Sequence, residues 1–260
     1  MKAIILAGGL GARLGCYTRD LPKCMLSFNG KPLIERQIDT FRACGINDIV
    51  VVRKHLAEKI IIPGVKYINE TDYDTHMVVG FFRAREEFDD DIILSYGDII
   101  FEQRVLRAAI DARVDVGVVA DYEWKDYWTA RCGDWRMDSE SFVIGESDKL
   151  VSLGISNPPE DKMHARYVGM IKFSKNILAG VAEMYDRAQK EFWERPWYTS
   201  KSFKKAYMTD FVQALIDQKI DVRVVGIRRG WLEFDTVADY ELACDWLKAN
   251  KLNSFIVLGK

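Results

Sequence analysis

The feature that most constrains the fold is a glycine-rich loop directly after a short apolar run near the start of the chain. Residues 2–6 (KAIIL) are followed by AGGLGARLG, in which four glycines fall within eight positions. An apolar run that stops abruptly at glycines predicts a buried strand. Glycines at a strand end let backbone N–H groups approach a ligand and form an anion-binding concavity. The loop therefore predicts a strand whose end carries an anion site.

Strand-like and helical patterns then alternate along the chain. Strands are predicted at 48–52, 65–68, 91–96, 116–120, 166–173 and 222–227, and helices at 32–41, 75–87, 105–110, 176–192, 208–218 and 236–249. Such alternation predicts a mostly parallel sheet covered by helices on both faces. Sheets of this kind bind ligands beyond the carboxyl ends of their strands, where the glycine loop and Gly97-Asp98 both lie.

Between residues 122 and 165 the alternation stops, and the segment is rich in Trp, Asp, Ser and Pro. We expect loops with short strands here, inserted as a lid into one domain that spans residues 1–260. The aromatic residues of this segment either pack the lid onto the core or form a cage for a quaternary ammonium. They are Tyr122, Trp124, Tyr127, Trp128 and Trp135.

Composition excludes several classes of protein. Lys+Arg 37 against Asp+Glu 39 gives a formal net charge of -2, which argues against a general nucleic-acid binder. The five cysteines form no CxxC pair, so neither a disulfide framework nor a zinc site is indicated. The first apolar run is too short for a signal peptide, and no stretch approaches the roughly 20 apolar residues of a spanning helix. We expect a cytoplasmic protein without a membrane partner, and leave homodimer formation open.

The glycine loop fits neither of two familiar phosphate-binding motifs. From Gly9 the chain runs GLGARL, which lacks the third glycine of a dinucleotide-binding loop, and no Lys-Ser/Thr pair completes a Walker A loop. Arg13 and Lys23 instead suggest two cations that bracket a triphosphate. For the glycines alone, a simple turn with two surface cations remains an equal alternative.

The full string LAGGLGARL followed by PK resembles the opening of the sugar and small-molecule nucleotidyltransferases. SYGDIIFE resembles the family's metal-binding strand end, YVGMIKFS its substrate-side strand, and WLEFDTVADYELA its closing carboxylate segment. YMTDFVQALI and WLEFDT look most like the cytidylyltransferases that act on phosphocholine or phosphonates. The resemblance implies a Rossmann-like three-layer α/β/α fold with a mixed, mostly parallel sheet, a lid at 122–165 and a helical acceptor-side segment at 174–220.

The resemblance also assigns roles to residues. It implies catalytic roles for Arg13 and Lys23. The nucleotide-binding residues would be Leu6, Ala7, Gly8, Gly9, Gly11, Tyr96 and Gly97.

Three carboxylates would form a Mg²⁺ site. Glu233 and Asp235 alternate along WLEFD, so they share one face of an extended segment. By resemblance Asp98 and Asp235 bind the metal, with Glu233 as a third ligand or a supporting partner. Alternatively, Asp98 caps a turn and Asp235 caps the last helix.

Acceptor binding is assigned by resemblance to Lys172 and Asp210, and by position to His76. The alternatives are a solubilising lysine at a strand edge, an acid in the first turn of a helix, and a structural histidine. In LGISNPP, Ile155 and Ser156 stand where relatives commonly place a lysine, so one expected cation is missing.

These residues predict a Mg²⁺-dependent cytidylyltransferase. It would transfer CMP from CTP to a small phosphate- or phosphonate-bearing acceptor and release pyrophosphate, feeding capsule or cell-surface polysaccharide biosynthesis. A hexose- or heptose-1-phosphate nucleotidyltransferase is the first alternative. A non-catalytic nucleotide-sugar sensor is the second, although a pure binder has no need of the metal carboxylates.

Overall fold

A central mixed sheet organises the chain in a computed structural model that describes residues 1–259. The strands are β1 (Lys2–Ala7), β2 (Ser27–Phe28), β3 (Lys31–Pro32), β4 (Ile49–Arg53), β5 (Lys66–Asn69), β6 (Ile92–Tyr96), β7 (Ile99–Phe101), β8 (Val116–Asp121), β9 (Glu140–Ile144), β10 (Leu150–Ser156), β11 (Arg166–Phe173), β12 (Val222–Ile227) and β13 (Trp231–Glu233). The helices are α1 (Leu33–Ala43), α2 (Met77–Arg83), α3 (Gln103–Asp111), α4 (Trp124–Cys132), α5 (Lys175–Phe192), α6 (Met208–Asp217) and α7 (Val237–Lys248).

Seven strands form the main sheet in the order β12-β8-β11-β6-β1-β4-β5. All neighbours pair in parallel except β11, which runs antiparallel to both β6 and β8. Successive residues of β1 enter opposite cores: Ala3 and Ile5 pack with α1 and α3, whereas Ile4 packs with α2 and α5. Helices therefore cover both faces, which confirms the predicted three-layer α/β/α fold with a mostly parallel sheet.

Most predicted elements are present, with ends that differ by at most two residues. The predicted helix 75–87 is shorter: His76 has extended backbone and α2 ends at Arg83, followed by a separate 3₁₀ turn at Arg85–Glu87. Within residues 1–259, no helix is both long enough and apolar enough to cross a membrane.

The segment 122–165 contains a helix that the sequence did not predict. The helix α4 buries Trp124 and Trp128, and only the following β9–β10 hairpin matches the expected short strands. The two rings pack against each other, and Trp128 also stacks on Trp231, so burial of these large apolar rings stabilises the helix. The packing alternative is confirmed for these tryptophans, and neither lines the cleft described below.

Two features position the functional site at one edge of the sheet. At the end of β6, the Gly97 N–H donates to the Leu6 carbonyl at 3.0 Å, and a Cβ at Gly97 would lie 2.8 Å from that oxygen. Only glycine permits this close approach of the β1 and β6 ends. The antiparallel ribbon β7–β13 then brings Phe234 N–H to the Asp98 carbonyl at 3.1 Å. Asp98 and Asp235, far apart in sequence, become neighbours through this ribbon.

Candidate active site

The glycine loop forms one wall of a small cavity beyond the end of β1. The loop turns at Gly11, which has a φ of 64°, and Thr18 Oγ1 donates to the Gly11 carbonyl at 2.7 Å. Six of the seven predicted nucleotide-binding residues line this cavity of about 130 Å³: Leu6, Ala7, Gly8, Gly9, Tyr96 and Gly97. Gly11 lies instead on a larger adjoining cleft. The structure thus brings all seven to one edge of the sheet.

The opposite wall of the cavity comes from segments that sequence reasoning did not assign. Val52 lies near the end of β4, and Lys54 follows that strand. Glu70 follows β5, and Met77 begins α2. Lys54 Nζ donates to the Thr75 carbonyl at 2.9 Å and so fixes the segment before α2. Both strands end at the edge where such sheets bind ligands, and this rule could have identified Lys54 and Glu70. A mostly apolar cavity with a few polar groups is typical of a site for a planar organic ring.

A lysine bridges two carboxylates where the cavity meets the cleft. Lys23 Nζ lies 2.5 Å from Asp98 Oδ2 and also forms a short ion pair with Asp235. Burial alone would lower the pKa of Lys23, but the two carboxylates outweigh it and raise this pKa above its usual value. Burial likewise opposes ionisation of Asp235, yet Lys23, Arg13 and Arg131 hold its pKa below the usual range. Lys23 and Asp235 are therefore both charged at neutral pH.

Arg13 lies at the outer rim of this charged centre. Its Nη2 is 3.4 Å from Asp235 Oδ1, and the side chain is 65% exposed. An exposed guanidinium that is only loosely held can turn toward a phosphate without breaking a strong ion pair. The two cations predicted from the opening loop thus meet the two predicted metal carboxylates.

The geometry fits the carboxylate set that a magnesium ion would use with a nucleotide. One Asp98 oxygen and one Asp235 oxygen contact the same nitrogen, so a single cation can reach both. Within residues 1–259, no three His, Cys, Asp or Glu side chains come together as a self-sufficient metal site. Mg²⁺ usually takes one or two carboxylates and completes its shell with water and substrate phosphates.

The third predicted metal carboxylate is paired with an arginine that sequence reasoning missed. Glu233 forms an ion pair with Arg131 of α4, which is 3% exposed. Arg131 also donates to both Asp239 oxygens, at 2.7 and 2.9 Å, and lies 3.5 Å from Asp235 Oδ2. The structure places Glu233 as a supporting partner of Asp235. We missed Arg131 because its helix was predicted as loops.

The alternative role for Asp235 as a helix cap is wrong. Thr236 is the residue that caps α7: its side chain accepts from the Asp239 N–H, and the Asp239 carboxylate accepts from the Thr236 N–H. Asp239 also accepts from the Asp235 N–H at 3.0 Å. The cap therefore leaves the Asp235 carboxylate free to face Lys23.

The larger cleft, of about 570 Å³, runs from the charged centre to the β9–β10 hairpin. His76 lies where the cavity and the cleft meet, and its ring packs edge-on against Tyr207 with centroids 4.7 Å apart. Burial, assisted by Lys54 and Lys205, lowers the pKa of His76, so the imidazole is neutral at pH 7. His76 thus reaches the predicted acceptor side as an uncharged group.

The placement predicted for Lys172 is wrong. Its side chain is buried, and Nζ donates to the carbonyls of Ile110 and Ala112 at 2.9 and 2.6 Å. Because β11 is antiparallel, Lys172 pairs with Ile93 and Gly117 near the starts of β6 and β8. It therefore lies at the far edge of the sheet from the glycine loop.

Asp210 also does not reach the cleft lining. It is 2% exposed, and its carboxylate accepts from Ser200 Oγ at 2.5 Å, from Thr199 and from the Tyr207 N–H. The prediction of an acceptor contact is wrong here, and the alternative of an acid in the first turn of α6 is confirmed. Its hydrogen bonds leave no free oxygen directed at a ligand.

Comparisons with known proteins identify the family of this chain. Residues 3–137 match the model of the MobA-like NTP transferase domain. CTP:phosphoglutamine cytidylyltransferase of Campylobacter jejuni is 33% identical over 258 residues, which cover 93% of this chain and 98% of that protein. 2-Aminoethylphosphonate cytidylyltransferase of Lancefieldella rimae is 26% identical and matches 74% of this chain and 77% of its own.

The fold is shared with solved structures. That of the CTP:phosphocholine cytidylyltransferase from Streptococcus pneumoniae superimposes with a TM-score of 0.71 at 23% identity, covering 95% of this chain and 98% of that one. The family match and the near full-length relative confirm the resemblance noted in the sequence. The chain belongs to the MobA-like NTP transferase family and is a nucleotidyltransferase.

Proposed function

We propose that the protein is a Mg²⁺-dependent cytidylyltransferase that transfers CMP from CTP to a small phosphorylated acceptor and releases pyrophosphate. The observation that carries this proposal is the Asp98–Lys23–Asp235 bridge, placed where a ring-sized cavity opens into a wide cleft. The relatives named above act on CTP and on phosphoglutamine or 2-aminoethylphosphonate, which supports both substrates.

The small cavity would hold the cytosine ring. Its walls are backbone of the glycine loop on one side and Val52, Thr75 and Met77 on the other. The loop amides would then face the ribose and the first phosphate. The cavity is lined mostly by apolar atoms, which suits a planar nucleobase, and the CTP used by the Campylobacter jejuni relative favours cytosine as that base.

Asp98 and Asp235 would hold the magnesium ion together with triphosphate oxygens. When bound, the ion neutralises phosphate charge and helps to fix the α-phosphate for in-line displacement. Lys23, released from the two carboxylates, would lie between the nucleotide and the acceptor, where its charge offsets the repulsion between two anions.

The chemistry needs positioning more than a base. A phosphate-type oxygen of the acceptor is already ionised at neutral pH, so it attacks the α-phosphorus directly while the bond to pyrophosphate breaks. Arg13 at the exposed rim would bind the departing pyrophosphate. The product carries the nucleotide on an activated small molecule, the kind of donor that cell-surface polysaccharide synthesis uses.

Pyrophosphate release tests this proposal. The four ribonucleoside triphosphates are crossed with phosphocholine, 2-aminoethylphosphonate, phosphoglutamine and hexose or heptose 1-phosphates, with and without Mg²⁺. We expect release that depends on CTP, acceptor and Mg²⁺ together. Asp98→Asn should lower kcat by at least about a hundredfold. Asp245→Asn is the matched control, because Asp245 is exposed on α7 and, among residues 1–259, pairs only with Lys248.

Other outcomes separate the alternatives. Pyrophosphate release that requires a sugar 1-phosphate and a nucleotide other than CTP would show that the protein is a sugar-1-phosphate nucleotidyltransferase. If no nucleotide–acceptor pair releases pyrophosphate, and nucleotide binding is intact and equally strong in Asp98→Asn, the result would favour a non-catalytic sensor.

A further inference from the structure

Two opposite charges line the far end of the cleft without pairing with each other. Glu140 begins β9 and Arg166 begins β11, and both half-buried side chains face the cleft. Among residues 1–259, neither group has an opposite charge within 4.0 Å. An ionised group at a half-buried position usually has a partner, because burial without one is costly.

The protein holds Arg166 in place but leaves some of its donors unused. The guanidinium stacks on the Trp128 ring at 3.9 Å from its centroid, and Nη1 donates to the Asp138 carbonyl at 3.0 Å. Its Nε is buried and, within the described chain, has no hydrogen-bond partner. A stacked guanidinium with free N–H groups is well suited to bidentate recognition of a carboxylate.

Glu140 offers the complementary acceptor. Burial raises the pKa of its carboxyl, and the charge of Arg166 opposes that rise, so the two groups interact electrostatically although they form no salt bridge. Close by, Tyr167 is 5% exposed and lines the same cleft, with its ring packed edge-on against Tyr96. Glu140 and Arg166 therefore converge on one end of the cleft as two charges without a salt-bridge partner in residues 1–259.

We propose that this end of the cleft binds the amino and carboxylate groups of an amino-acid-type acceptor, with Glu140 facing the ammonium and Arg166 the carboxylate. An α-amino acid carries its two charges on neighbouring atoms, which requires a cation and an anion that are near each other but not in contact. The phosphorylated end of such an acceptor would extend along the cleft toward Lys23 and Asp98, which line its other end. This assignment rests on the proposed cytidylyl transfer.

The test compares acceptors that differ only in these charges. L-2-Amino-4-phosphonobutyrate carries both groups, 3-aminopropylphosphonate only the amino group, 4-phosphonobutyrate only the carboxylate, and propylphosphonate neither. We expect the highest kcat/KM for acceptors with both groups. Glu140→Gln should raise KM at least about tenfold for amino-bearing acceptors only, and Arg166→Met likewise for carboxylate-bearing ones. The KM for CTP should change less than about threefold, because neither residue lines the small cavity.

Matched controls remove the same charges elsewhere. Glu146→Gln lies in the exposed turn of the same hairpin, and Arg187→Met lies exposed on α5. Arg166→Met replaces the guanidinium that stacks on Trp128 by an apolar group on a similar stem, and Glu140→Gln is isosteric, so at least one variant should fold. Thermal unfolding confirms that each variant is folded before it is assayed.

Calorimetric binding of L-2-amino-4-phosphonobutyrate gives a readout that does not depend on turnover. Weaker binding to Glu140→Gln and Arg166→Met than to the controls supports the subsite, even if no pyrophosphate is released and the proposed transfer itself fails. Equal binding in all variants overturns the subsite. Equal kcat/KM for the phosphonate that carries both groups and the phosphonate that carries neither would also overturn the subsite, while leaving cytidylyl transfer intact.

Discussion

Arg131 is the residue whose loss the structure penalises most clearly. Its guanidinium is 3% exposed and forms ion pairs with Glu233 and Asp239, with Asp235 at 3.5 Å. Arg131→Met keeps most of the apolar stem but leaves Glu233 and Asp239 without their cation, whereas Asp235 keeps Lys23. Removing one partner of a buried pair typically costs about 3–5 kcal/mol. For a chain of this size that corresponds to a Tm about 6–20 °C lower.

The assay is thermal unfolding of Arg131→Met beside Arg85→Met. Arg85 also makes a bidentate pair, with Asp186, but both side chains are about half exposed. A surface pair contributes only about 0–1 kcal/mol, so we expect a Tm change below about 4 °C for this control. The double variant Arg131→Met/Glu233→Gln should recover part of the loss, because it removes one uncompensated charge.

The pH dependence gives a second check. Burial raises the pKa of Glu233 to about 7 even though Arg131 opposes the rise, so without Arg131 this pKa should rise further. A raised carboxyl pKa destabilises the fold only where the group must ionise. The deficit of Arg131→Met should therefore shrink as the pH falls from 8 to 5. A Tm equal to that of Arg85→Met, or a deficit that grows toward acid, would refute this account.

Two further predictions concern buried charges outside the cleft. Lys172→Met should lower the unfolding free energy by about 1–3 kcal/mol, because two carbonyls lose their donor, while the acceptor KM stays within twofold. Lys175→Met is the exposed control. A change in acceptor KM without a change in Tm would instead indicate that Lys172 contacts the acceptor. Glu87 accepts from Lys66 and Lys2, which lower its pKa below the ordinary value of 4.5, so its contribution is present above that pH and is lost as the pH falls below it. Glu87→Gln should accordingly reduce Tm at pH 7, and this Tm deficit should shrink as the pH falls below 4.5; a deficit that does not shrink in acid would contradict the prediction.

The sheet and its ligand-binding edge could be predicted from the amino-acid pattern. Apolar runs that end in glycine or aspartate mark strand ends, and parallel strands bring those ends to one edge. This is why Leu6, Gly8, Tyr96 and Gly97 could be placed together from the chain alone, and the structure confirms that placement. The glycine at 97 is required by the close approach of two backbones, a constraint that acts locally.

The direction of β11, and therefore which of its ends lies at the ligand-binding edge, could not be predicted from the sequence and is seen only in the folded chain. Alternation along a strand fixes which side chains share a face, but it does not state whether the strand runs with or against its neighbours. Because β11 is reversed, Lys172 near its end is carried away from the cleft and Arg166 at its start is carried into it.

The partners of the carboxylates were also decided by tertiary structure. Arg131 and Asp239 are 108 positions apart, and Lys23 and Asp235 are 212 apart. No local propensity couples such residues, since an ion pair forms only after loops have closed and burial has removed water. The glycine loop and the carboxylates can be recognised in the sequence, but which cation pairs with each carboxylate depends on the tertiary fold.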